Sequence, residues 1–503
     1  MSTLAIGLAL ASAACVTSRG VSPTNEERTA AWLDAHRDRP PMVRMFLQRM
    51  PKGADLHSHL SGAVYAESYI AWAVEAGLCV ETASSTITAC CRPTCDNRAV
   101  ADALHDQHFY SVLVDSLSTR NLGDRRQSGH NQFFDAFARF NEASIGRTPD
   151  MIAEVASRAA DQHVMYLEIM LTLRGSLIRQ LGNRTAFDKD DLAGSRQRLL
   201  DAGLRTLVTQ ATSDLDGIEQ RVVALLGCDR ADPPAPCRVI RRYIQQTLRS
   251  AEPNVVFAQL TYAFELASAE RRIVGINLVA PEDDRLALRD YHLQMQMVGW
   301  LGAQYPGVNV ALHAGELTLG LVPPSDLRFH IREAVEVGKA KRIGHGVSIS
   351  YEHEAADLLK TMRQRDVAVE ICLTSNDVIL GVSGSRHPFP DYLTAGVPTT
   401  LGSDDAGVAR IDLTNEYVRA TESYRLGYRQ LKQISRNSLT YSFLPGPNLW
   451  RRPASLESVA ACAGQAPQPS PACRAFLDAS EKARLQWQLE RAFDAFETAW
   501  SSE

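Results

Sequence analysis

Several kinds of feature are scarce in this chain of 503 residues, and each scarcity excludes a class of protein. Glycine and proline number 31 and 23 and show no period, which excludes collagen-like and low-complexity chains. No apolar run reaches the roughly 18 residues of a membrane-spanning helix. Basic residues are not in excess, because Lys+Arg is 53, Asp+Glu is 58 and the net charge is −5. The composition therefore predicts a globular protein without the basic surface that binds nucleic acid.

The N-terminal residues have the pattern of an export signal. A run of apolar and small residues at 4–14 ends just before Cys15, and Ala11 and Ala13 form an Ala-x-Ala cleavage site. No Lys or Arg precedes the run, which departs from the usual pattern. We expect residues 1–20 to be a signal peptide, or a lipoprotein signal that leaves a lipid anchor on Cys15. Either route predicts an exported protein that is periplasmic, anchored at a membrane or secreted.

The cysteines agree with export. Eight of the ten lie in polar or turn-rich stretches, where disulfides form readily in an oxidising compartment. Cys228 and Cys237 flank a proline-rich turn, and Cys462 and Cys473 flank another, so both pairs are predicted to form short-loop disulfides. A zinc site is the alternative for three clustered cysteines, although their spacing is not Cys-x-x-Cys: Cys90, Cys91 and Cys95.

Short apolar runs alternate with longer helical segments along the rest of the chain. This alternation is typical of a parallel sheet covered by helices, and eight such units predict a closed (β/α)8 barrel of the TIM type. The predicted strands include or end at residues 57–59, 164–169, 255–260, 274–279, 308–313, 342–345, 367–371 and 399–404.

Two long gaps between the predicted strands indicate insertions. The first contains four cysteines and a helix with four phenylalanines, and we expect an inserted segment at about 76–130 to cover the mouth of the barrel. The second, at 172–254, is rich in helical patterns. Apolar residues at helical spacing predict a C-terminal helix on the barrel wall. We therefore expect residues 21–503 to be one barrel domain with helical insertions after strands 1 and 2 and a C-terminal helical extension.

The predicted strand ends carry groups that bind metals. His57 and His59 are two residues apart on one strand, so their side chains point to the same side, and neutral imidazoles can share one metal ion. His313 ends the fifth predicted strand, and Asp404 ends the eighth. Side chains at the carboxyl ends of barrel strands meet on the face where catalytic residues gather. Three His and one Asp are a donor set suited to Zn²⁺.

Three further polar residues follow the same strand ends. Glu316 lies three residues after His313, His345 ends the sixth predicted strand, and Asp405 follows Asp404. A carboxylate beside a metal can take a proton from water, and a buried carboxyl group can donate one. These residues are therefore candidates for acid and base catalysis.

Taken in order, these motifs resemble those of the adenosine deaminase family. They run from Met50-Pro-Lys-Gly-Ala-Asp-Leu-His57-Ser-His59 through His313-Ala-Gly-Glu316, Gly344-His345-Gly346 and Ser375-Asn376 to Ser403-Asp404-Asp405. The start of this series, the export signal and the long first insertion look most like the exported branch related to the adenosine-deaminase growth factors.

The resemblance implies a role for each matched residue. It makes His57, His59, His313 and Asp404 the ligands of one Zn²⁺ per chain, and Glu316 the proton donor to the purine N1. It makes His345 and Asp405 the pair that orients and deprotonates the attacking water. The positions it implies for substrate contact are Ser61, Gly62 and Ala280; the family often has Asp in place of Ser61 and Gly in place of Ala280. These departures bear on the choice of substrate rather than on catalysis.

The resulting hypothesis is hydrolytic deamination of adenosine or 2′-deoxyadenosine to inosine or 2′-deoxyinosine with release of ammonia. The stretches beside the motifs, 60–65 and 317–321, contain no Lys or Arg, so we expect nucleosides to be preferred to AMP. Another adenine compound as substrate, another hydrolase of the same superfamily and an exported binding protein without turnover are the alternatives. The sequence does not specify the oligomeric state, and an oligomer is possible. Cytidine-type deaminases are excluded, because their sites need His-x-Glu with Pro-Cys-x-x-Cys, and this sequence lacks that pair of motifs.

Overall fold

The computed structural model describes residues 22–91, 96–124, 128–452, 455–464 and 468–501. The predicted signal at 1–20, with Cys15, lies outside these residues, and so does Cys95. The strands are β1 Gly53–His59, β2 Cys79–Glu81, β3 Thr86–Thr88, β4 Asn97–Ala99, β5 Val164–Leu171, β6 Ile240–Leu248, β7 Ile273–Val279, β8 Asn309–Ala314, β9 Arg342–His345, β10 Ala368–Ile371, β11 Thr399–Leu401, β12 Trp450–Arg452 and β13 Glu457–Ser458.

Helices fill most of the connections between these strands. They are α1 Asn25–His36, α2 Pro40–Arg49, α3 Leu60–Ala63, α4 Ala66–Glu75, α5 Gln107–Ser116, α6 Gly129–Ser144, α7 Thr148–Asp161, α8 Gly175–Arg184, α9 Leu192–Asp201, α10 Leu204–Leu226, α11 Pro253–Ala269, α12 Arg285–Gln304, α13 His330–Glu336, α14 Ala355–Gln364, α15 Leu373–Leu380, α16 Phe389–Ala395, α17 Ala406–Ala409, α18 Leu413–Tyr424, α19 Tyr428–Thr440, α20 Pro471–Ala479 and α21 Glu481–Trp500.

Eight strands form the central sheet, in the order β1-β5-β6-β7-β8-β9-β10-β11. All neighbours in it are parallel. The first and last strands meet at a parallel bridge between Ser58 and Asp404. The Asp404 N–H donates to the His57 carbonyl at 2.7 Å, and the His59 N–H donates to the Asp404 carbonyl at 3.3 Å. The predicted α/β barrel is confirmed, and its seam joins three of the predicted metal ligands.

One predicted strand is wrong. Residues 255–260 lie in the middle of α11, and the third barrel strand is β6. Because α11 is buried on nearly all sides, its apolar run has no helical period and resembles a buried strand. The sequence does not predict β6 as a strand, because the segment is largely polar: Ile-Arg-Arg-Tyr-Ile-Gln-Gln-Thr-Leu. The second predicted insertion therefore contains α8, α9, α10 and then a strand of the barrel.

The first insertion is not helical throughout. Strands β2, β3 and β4 form a small antiparallel sheet in the order β3-β2-β4, and α5 follows it. Helix α6, which carries the four phenylalanines, comes next and packs against α4 and α15. The segment predicted at 76–130 is thus a mixed α/β unit that leads into α6.

Three disulfides are present among the described residues, Cys79–Cys90, Cys228–Cys237 and Cys462–Cys473. The two predicted pairs are confirmed. Cys91 is also disulfide-bonded, so the zinc alternative for this cluster is wrong for Cys90 and Cys91. Cys372 is a buried free thiol.

The C-terminal helix is confirmed as α21. Its apolar side chains, from Leu485 to Trp500, are buried, and it packs against α1, α19 and α20. In the described part of the chain, none of the helices combines the length and the apolar character needed to cross a bilayer.

Candidate metal centre and active site

Three imidazoles at the carboxyl ends of the barrel strands are fixed by their Nδ1 atoms. Each Nδ1 faces an acceptor oxygen, so Nδ1 carries the proton and Nε2 has a lone pair when the ring is neutral. For His57, burial lowers the pKa, but Asp404 and Glu370 raise it to about 10, so a metal ion at Nε2 would take the place of a second proton. The acceptors are Glu370 for His57 at 2.6 Å, Gln246 for His59 at 2.5 Å and Asn277 for His313 at 3.0 Å.

The three Nε2 atoms converge with one carboxylate. The Nε2 atoms of His59 and His313 are 3.1 Å apart, and Asp404 Oδ1 lies 3.5 Å from Nε2 of His57 and 3.4 Å from Nε2 of His59. His57 Nε2 is buried without a hydrogen-bond partner in the described chain. Lone pairs that face each other in a buried site repel unless a cation lies between them. The donor set therefore fits a single Zn²⁺ with nitrogen and oxygen ligands.

Burial sets the protonation state of two of these ligands. It lowers the pKa of His59 below its ordinary value, and it lowers the pKa of His313 further, with help from the neighbouring imidazoles. Both rings are therefore neutral, which is the form that binds a metal ion.

A relay of buried hydrogen bonds gives His345 the opposite tautomer. The Phe389 N–H donates to His387 Nδ1 at 3.1 Å, His387 Nε2 donates to Asn376 Oδ1 at 2.9 Å, and Asn376 Nδ2 donates to His345 Nδ1 at 3.0 Å. Burial lowers the pKa of His387 to about 4 and that of His345 to about 3, so both rings are neutral. The proton of His345 is therefore on Nε2.

This tautomer separates His345 from the metal ligands. Its Nε2 is close enough to join a ligand group with His57, His313 and Asp404, since the four ligand atoms lie within 4.8 Å of one another. A protonated Nε2 has no lone pair for a metal ion, but it can donate a hydrogen bond to a reacting oxygen. The atom is buried and has no other partner among the described residues.

Two carboxyl groups beside the centre have raised pKa values, which favour their protonated forms. Burial raises the pKa of Glu316 well above its ordinary value, and the nearby carboxylates of Asp404 and Glu282 add to the shift. Burial and the adjacent Asp404 likewise raise the pKa of Asp405. Glu316 Oε1 and Asp405 Oδ1 are buried and lack hydrogen-bond partners in the described chain. Both groups are thus able to exchange protons with a bound molecule.

The loop that carries Glu316 is held by a carboxylate behind it. Glu282 accepts hydrogen bonds from the N–H groups of Gly315 at 3.1 Å and Glu316 at 2.7 Å. Its other partner is His330 Nδ1, at 2.6 Å, and Arg249 lies 3.7 Å away. The hydrogen bond from His330 and the charge of Arg249 lower the pKa of Glu282 although burial opposes them. Glu282 therefore fixes the orientation of the acid.

A cavity of about 340 Å³ opens onto these groups. Phenylalanines of α6 form one wall, Ser61 and Ala280 belong to the lining, and none of the described Lys and Arg residues does. The lining residues are His59, Ser61, Phe133, Phe134, Phe137, Thr172, Gln246, Leu248, Val279, Ala280, His313, Glu316, His345, Ile379, Asp404 and Asp405.

Gly62, the third predicted substrate contact, lies beside the cavity rather than in its lining. A Cβ atom at Gly62 would be 1.6 Å from Asp405 Oδ1, so the glycine leaves room for that carboxyl group. Two basic residues further along the chain have partners elsewhere, because Arg410 pairs with Glu67 at 2.7 Å and Arg386 donates to the Gly381 carbonyl.

Comparison with known proteins places this site in a family. The adenosine deaminase family model matches residues 127–451, which is more than half of the chain. The chain belongs to the adenosine deaminase family. The match includes the motifs around His313, His345 and Asp404 and begins after His57 and His59.

Individual relatives are more distant. Adenosine deaminase 2 of Dictyostelium discoideum is 30% identical over 198 residues, which are 39% of this chain and 35% of that protein. The chain thus spans about a third of the length of this curated relative.

Solved structures share the fold. The N6-mAMP deaminase of Arabidopsis has a TM-score of 0.51 and 19% identity, and the alignment covers 80% of this chain and 96% of that one. An amidohydrolase of Burkholderia ambifaria with bound Zn has a TM-score of 0.51 and 16% identity, with 96% and 97% covered.

In this family member, sequence reasoning found the groups that face the centre but missed those that orient them. Gln246 and Arg249 were hidden because β6 was not recognised as a strand. Glu370 was visible as a lone acid in an apolar strand, a signal that indicates a buried partner. His387 gave no signal, since it acts only through Asn376.

Proposed function

We propose that this protein catalyses the zinc-dependent hydrolytic deamination of adenosine or 2′-deoxyadenosine, with water as co-substrate and inosine or 2′-deoxyinosine and ammonia as products. One observation carries the proposal. A cavity large enough for a nucleoside opens onto the converging imidazoles of His59 and His313, with His57 behind them, and onto two buried carboxyl groups whose pKa values are raised. These groups provide the metal ligands, the acid and the base that are required to replace an amino group by oxygen.

The proposed ligands of the single Zn²⁺ are His57, His59, His313 and Asp404. When bound, the ion supplies a Lewis acid that makes water acidic at neutral pH. Glu370, Gln246 and Asn277 hold the imidazoles in the tautomer that the metal needs. Asn277 accepts from both N and Nδ1 of His313, which leaves it poorly suited to bridge a second ion. One metal is therefore favoured over a pair.

Glu316 is the proposed proton donor to the purine. A carboxylic acid donates to a ring nitrogen only if it is still protonated at neutral pH, and burial gives Glu316 that property. Protonation of N1 draws electrons from C6, where the water oxygen adds and the amino group leaves. Glu282 holds the loop, so Glu316 Oε1 keeps its place in the cavity.

Asp405 and His345 are the proposed partners of the water. In its ionised form Asp405 takes the proton from the water, and its raised pKa makes that carboxylate a stronger base than an exposed one. His345 Nε2–H donates a hydrogen bond to the oxygen as it attacks, and so stabilises the negative charge that develops there. Asp405 passes the proton that it took from the water to the amino group, which leaves as ammonia, and the second proton of the water returns to Glu316.

The cavity favours an uncharged sugar. A phosphate group would need cations or a glycine-rich cradle, and the lining offers neither. The Arabidopsis relative in fold is named for a nucleotide substrate, and its identity of 19% is too low to transfer that choice. Ser61 and Ala280 are the proposed contacts of the ribose and the base. A binding protein without turnover is disfavoured, because the acid, the base and the ligands are all in place.

We also propose that the protein is exported, with Cys15 as a site of lipid attachment. Disulfides in three separate segments support an oxidising compartment. Peptide mapping without reduction, on protein taken from its native compartment, should find Cys228 joined to Cys237. Free thiols at both positions would contradict export.

The reaction is tested by incubating the purified chain with adenosine and detecting inosine by mass spectrometry. We expect one ammonia per inosine, loss of turnover in a chelator and recovery with about one equivalent of zinc. N6-methyl-AMP, AMP, adenine and 2′-deoxyadenosine serve as competing substrates. Activity that survives complete metal removal would refute the zinc proposal, and inosine formation from none of the nucleosides would refute the reaction.

A further inference from the structure

A second cavity lies at the opposite end of the barrel. It has a volume of about 420 Å³, within the range of small-molecule sites. Asn309 begins β8, Lys341 precedes β9 and Val367 precedes β10, so the cavity is at the amino ends of the strands. The ends of α19 and α21, with Thr440 and Lys482, complete its wall.

The lining of this cavity is strongly basic in a chain whose net charge is negative. It contains four cationic side chains, Lys339, Lys341, Arg365 and Lys482, and one carboxylate, Asp366. None of the four cations forms an ion pair with an acidic side chain of the described residues. Asp366 itself accepts a hydrogen bond from the hydroxyl of Tyr441 at 2.7 Å. The protein therefore offsets only part of the positive charge of the cavity.

Lys482 is the most enclosed of the four. Its Nζ donates to the Thr440 carbonyl at 3.2 Å, which leaves the other N–H groups of the ammonium without protein acceptors in the described chain. Burial lowers the pKa of Lys482 to about 8, and Arg342 and Lys341 act in the same direction, while Glu168 opposes them. An anion next to Nζ would relieve this repulsion and supply the missing acceptors.

We propose that this cavity binds a small soluble anion that carries phosphate groups. Phosphate oxygens accept several charge-assisted hydrogen bonds at once, which matches a ring of Lys and Arg donors around an open space. Two phosphate groups would balance the four cations. The site is separate from the metal centre and does not depend on the deaminase proposal.

Isothermal titration calorimetry on the zinc-loaded chain tests the site, with fructose 1,6-bisphosphate and inorganic phosphate as probes at constant ionic strength. The variants Lys482→Met and Arg365→Gln remove charge from the wall and the rim. Lys189→Met is the control, because Lys189 is an exposed lysine paired with Asp190 away from the cavity. Thermal unfolding of each variant checks that it folds.

We expect saturable binding of the bisphosphate at one site per chain, stronger than that of inorganic phosphate. Lys482→Met and Arg365→Gln should each weaken it by at least ~5-fold, and Lys189→Met by less than ~2-fold. If Lys482→Met does not fold, Arg365→Gln decides alone. Equal affinity in the cavity variants, no binding below about 10 mM, or binding to phosphatidylglycerol vesicles without binding of the soluble bisphosphate would each overturn the proposal.

Discussion

Single hydrogen bonds at the imidazoles decide what each side chain of the centre can do. A neutral imidazole has one donor and one acceptor nitrogen, so fixing Nδ1 also fixes Nε2. Acceptor oxygens at Nδ1 make His57, His59 and His313 into ligands, whereas the donor amide of Asn376 makes His345 a hydrogen-bond donor. Four histidines in one site thus have two distinct roles.

The variant Glu316→Gln tests the acid. The amide has nearly the same shape but cannot donate a carboxylic proton, so kcat for adenosine should fall at least ~10²-fold. Zinc content and melting temperature should stay near those of the wild type. A wild-type kcat in this variant would remove Glu316 from the mechanism.

The variant Asn376→Asp tests the relay. The Asn376 amide donates a hydrogen bond to His345 Nδ1, whereas a carboxylate accepts one from a protonated Nδ1. In the variant the proton of the neutral ring therefore moves from Nε2 to Nδ1, and the pKa of His345 rises. We expect kcat to fall at least ~10-fold with little change in KM, while zinc stays bound. Nitrogen-15 NMR should show His345 protonated at Nδ1 in the variant and at Nε2 in the wild type.

The exposed Asn183→Asp, on α8, is the matched control and should change neither kcat nor the tautomer. An unchanged kcat in Asn376→Asp, together with a proton still on Nε2, would contradict the role of the relay.

At the scale of elements, closure of the barrel assembles the site. The bridge between β1 and the residues after β11 places His57 and His59 beside Asp404. The short helix α3 follows β1 directly, and its Gly62 lies against Asp405. A Cβ at Gly62 would overlap the carboxyl group, so the contact between α3 and the last strand tolerates only glycine.

The variant Gly62→Ala should therefore displace Asp405. We expect a loss of at least ~10²-fold in kcat and a cost of about 1–3 kcal/mol in the free energy of unfolding, with zinc retained. Gly217→Ala on α10 is the control, since nothing lies within 4 Å of its added Cβ. It should raise the stability by about 0.5–1 kcal/mol and leave turnover unchanged. Full activity in Gly62→Ala would show that Asp405 has freedom to move.

The strands show how much of the fold the sequence predicts. Seven of the eight barrel strands overlap strands that the sequence predicts, together with the polar groups in or just after them. The strand β6 is polar because its side chains bind partners elsewhere in the fold, Gln246 to His59 and Arg242 to Glu481. The helix α11 is apolar on nearly all sides because other elements enclose it. A single sequence does not reveal such tertiary partners.

The site was predicted to the same extent. Groups that face the metal have fixed spacings at strand ends, so His57, His59 and Glu316 could be found. The orienting residues Glu370 and His387 depend on contacts between distant segments, 313 residues apart for His57 and Glu370. Those contacts exist only after the barrel closes.

Across the whole molecule, the two ends of the barrel differ in charge. The carboxyl end holds an apolar cavity with buried acids and imidazoles, and the amino end holds the basic cavity. Arg342, at the start of β9 and 1% exposed, pairs with both Glu168 and Glu370. Arg249 is buried beside Glu282, and none of the described Lys and Arg residues lines the catalytic cavity, which is therefore suited to an uncharged substrate.

The ratio of kcat/KM for adenosine to that for AMP tests this central claim most directly. Without cations to bind a phosphate group, the zinc-loaded protein should prefer adenosine by at least ~10-fold, which is about 1.4 kcal/mol of transition-state binding. Both rates can be followed by ammonia release under identical conditions. A value for AMP ~10-fold above that for adenosine would contradict the account.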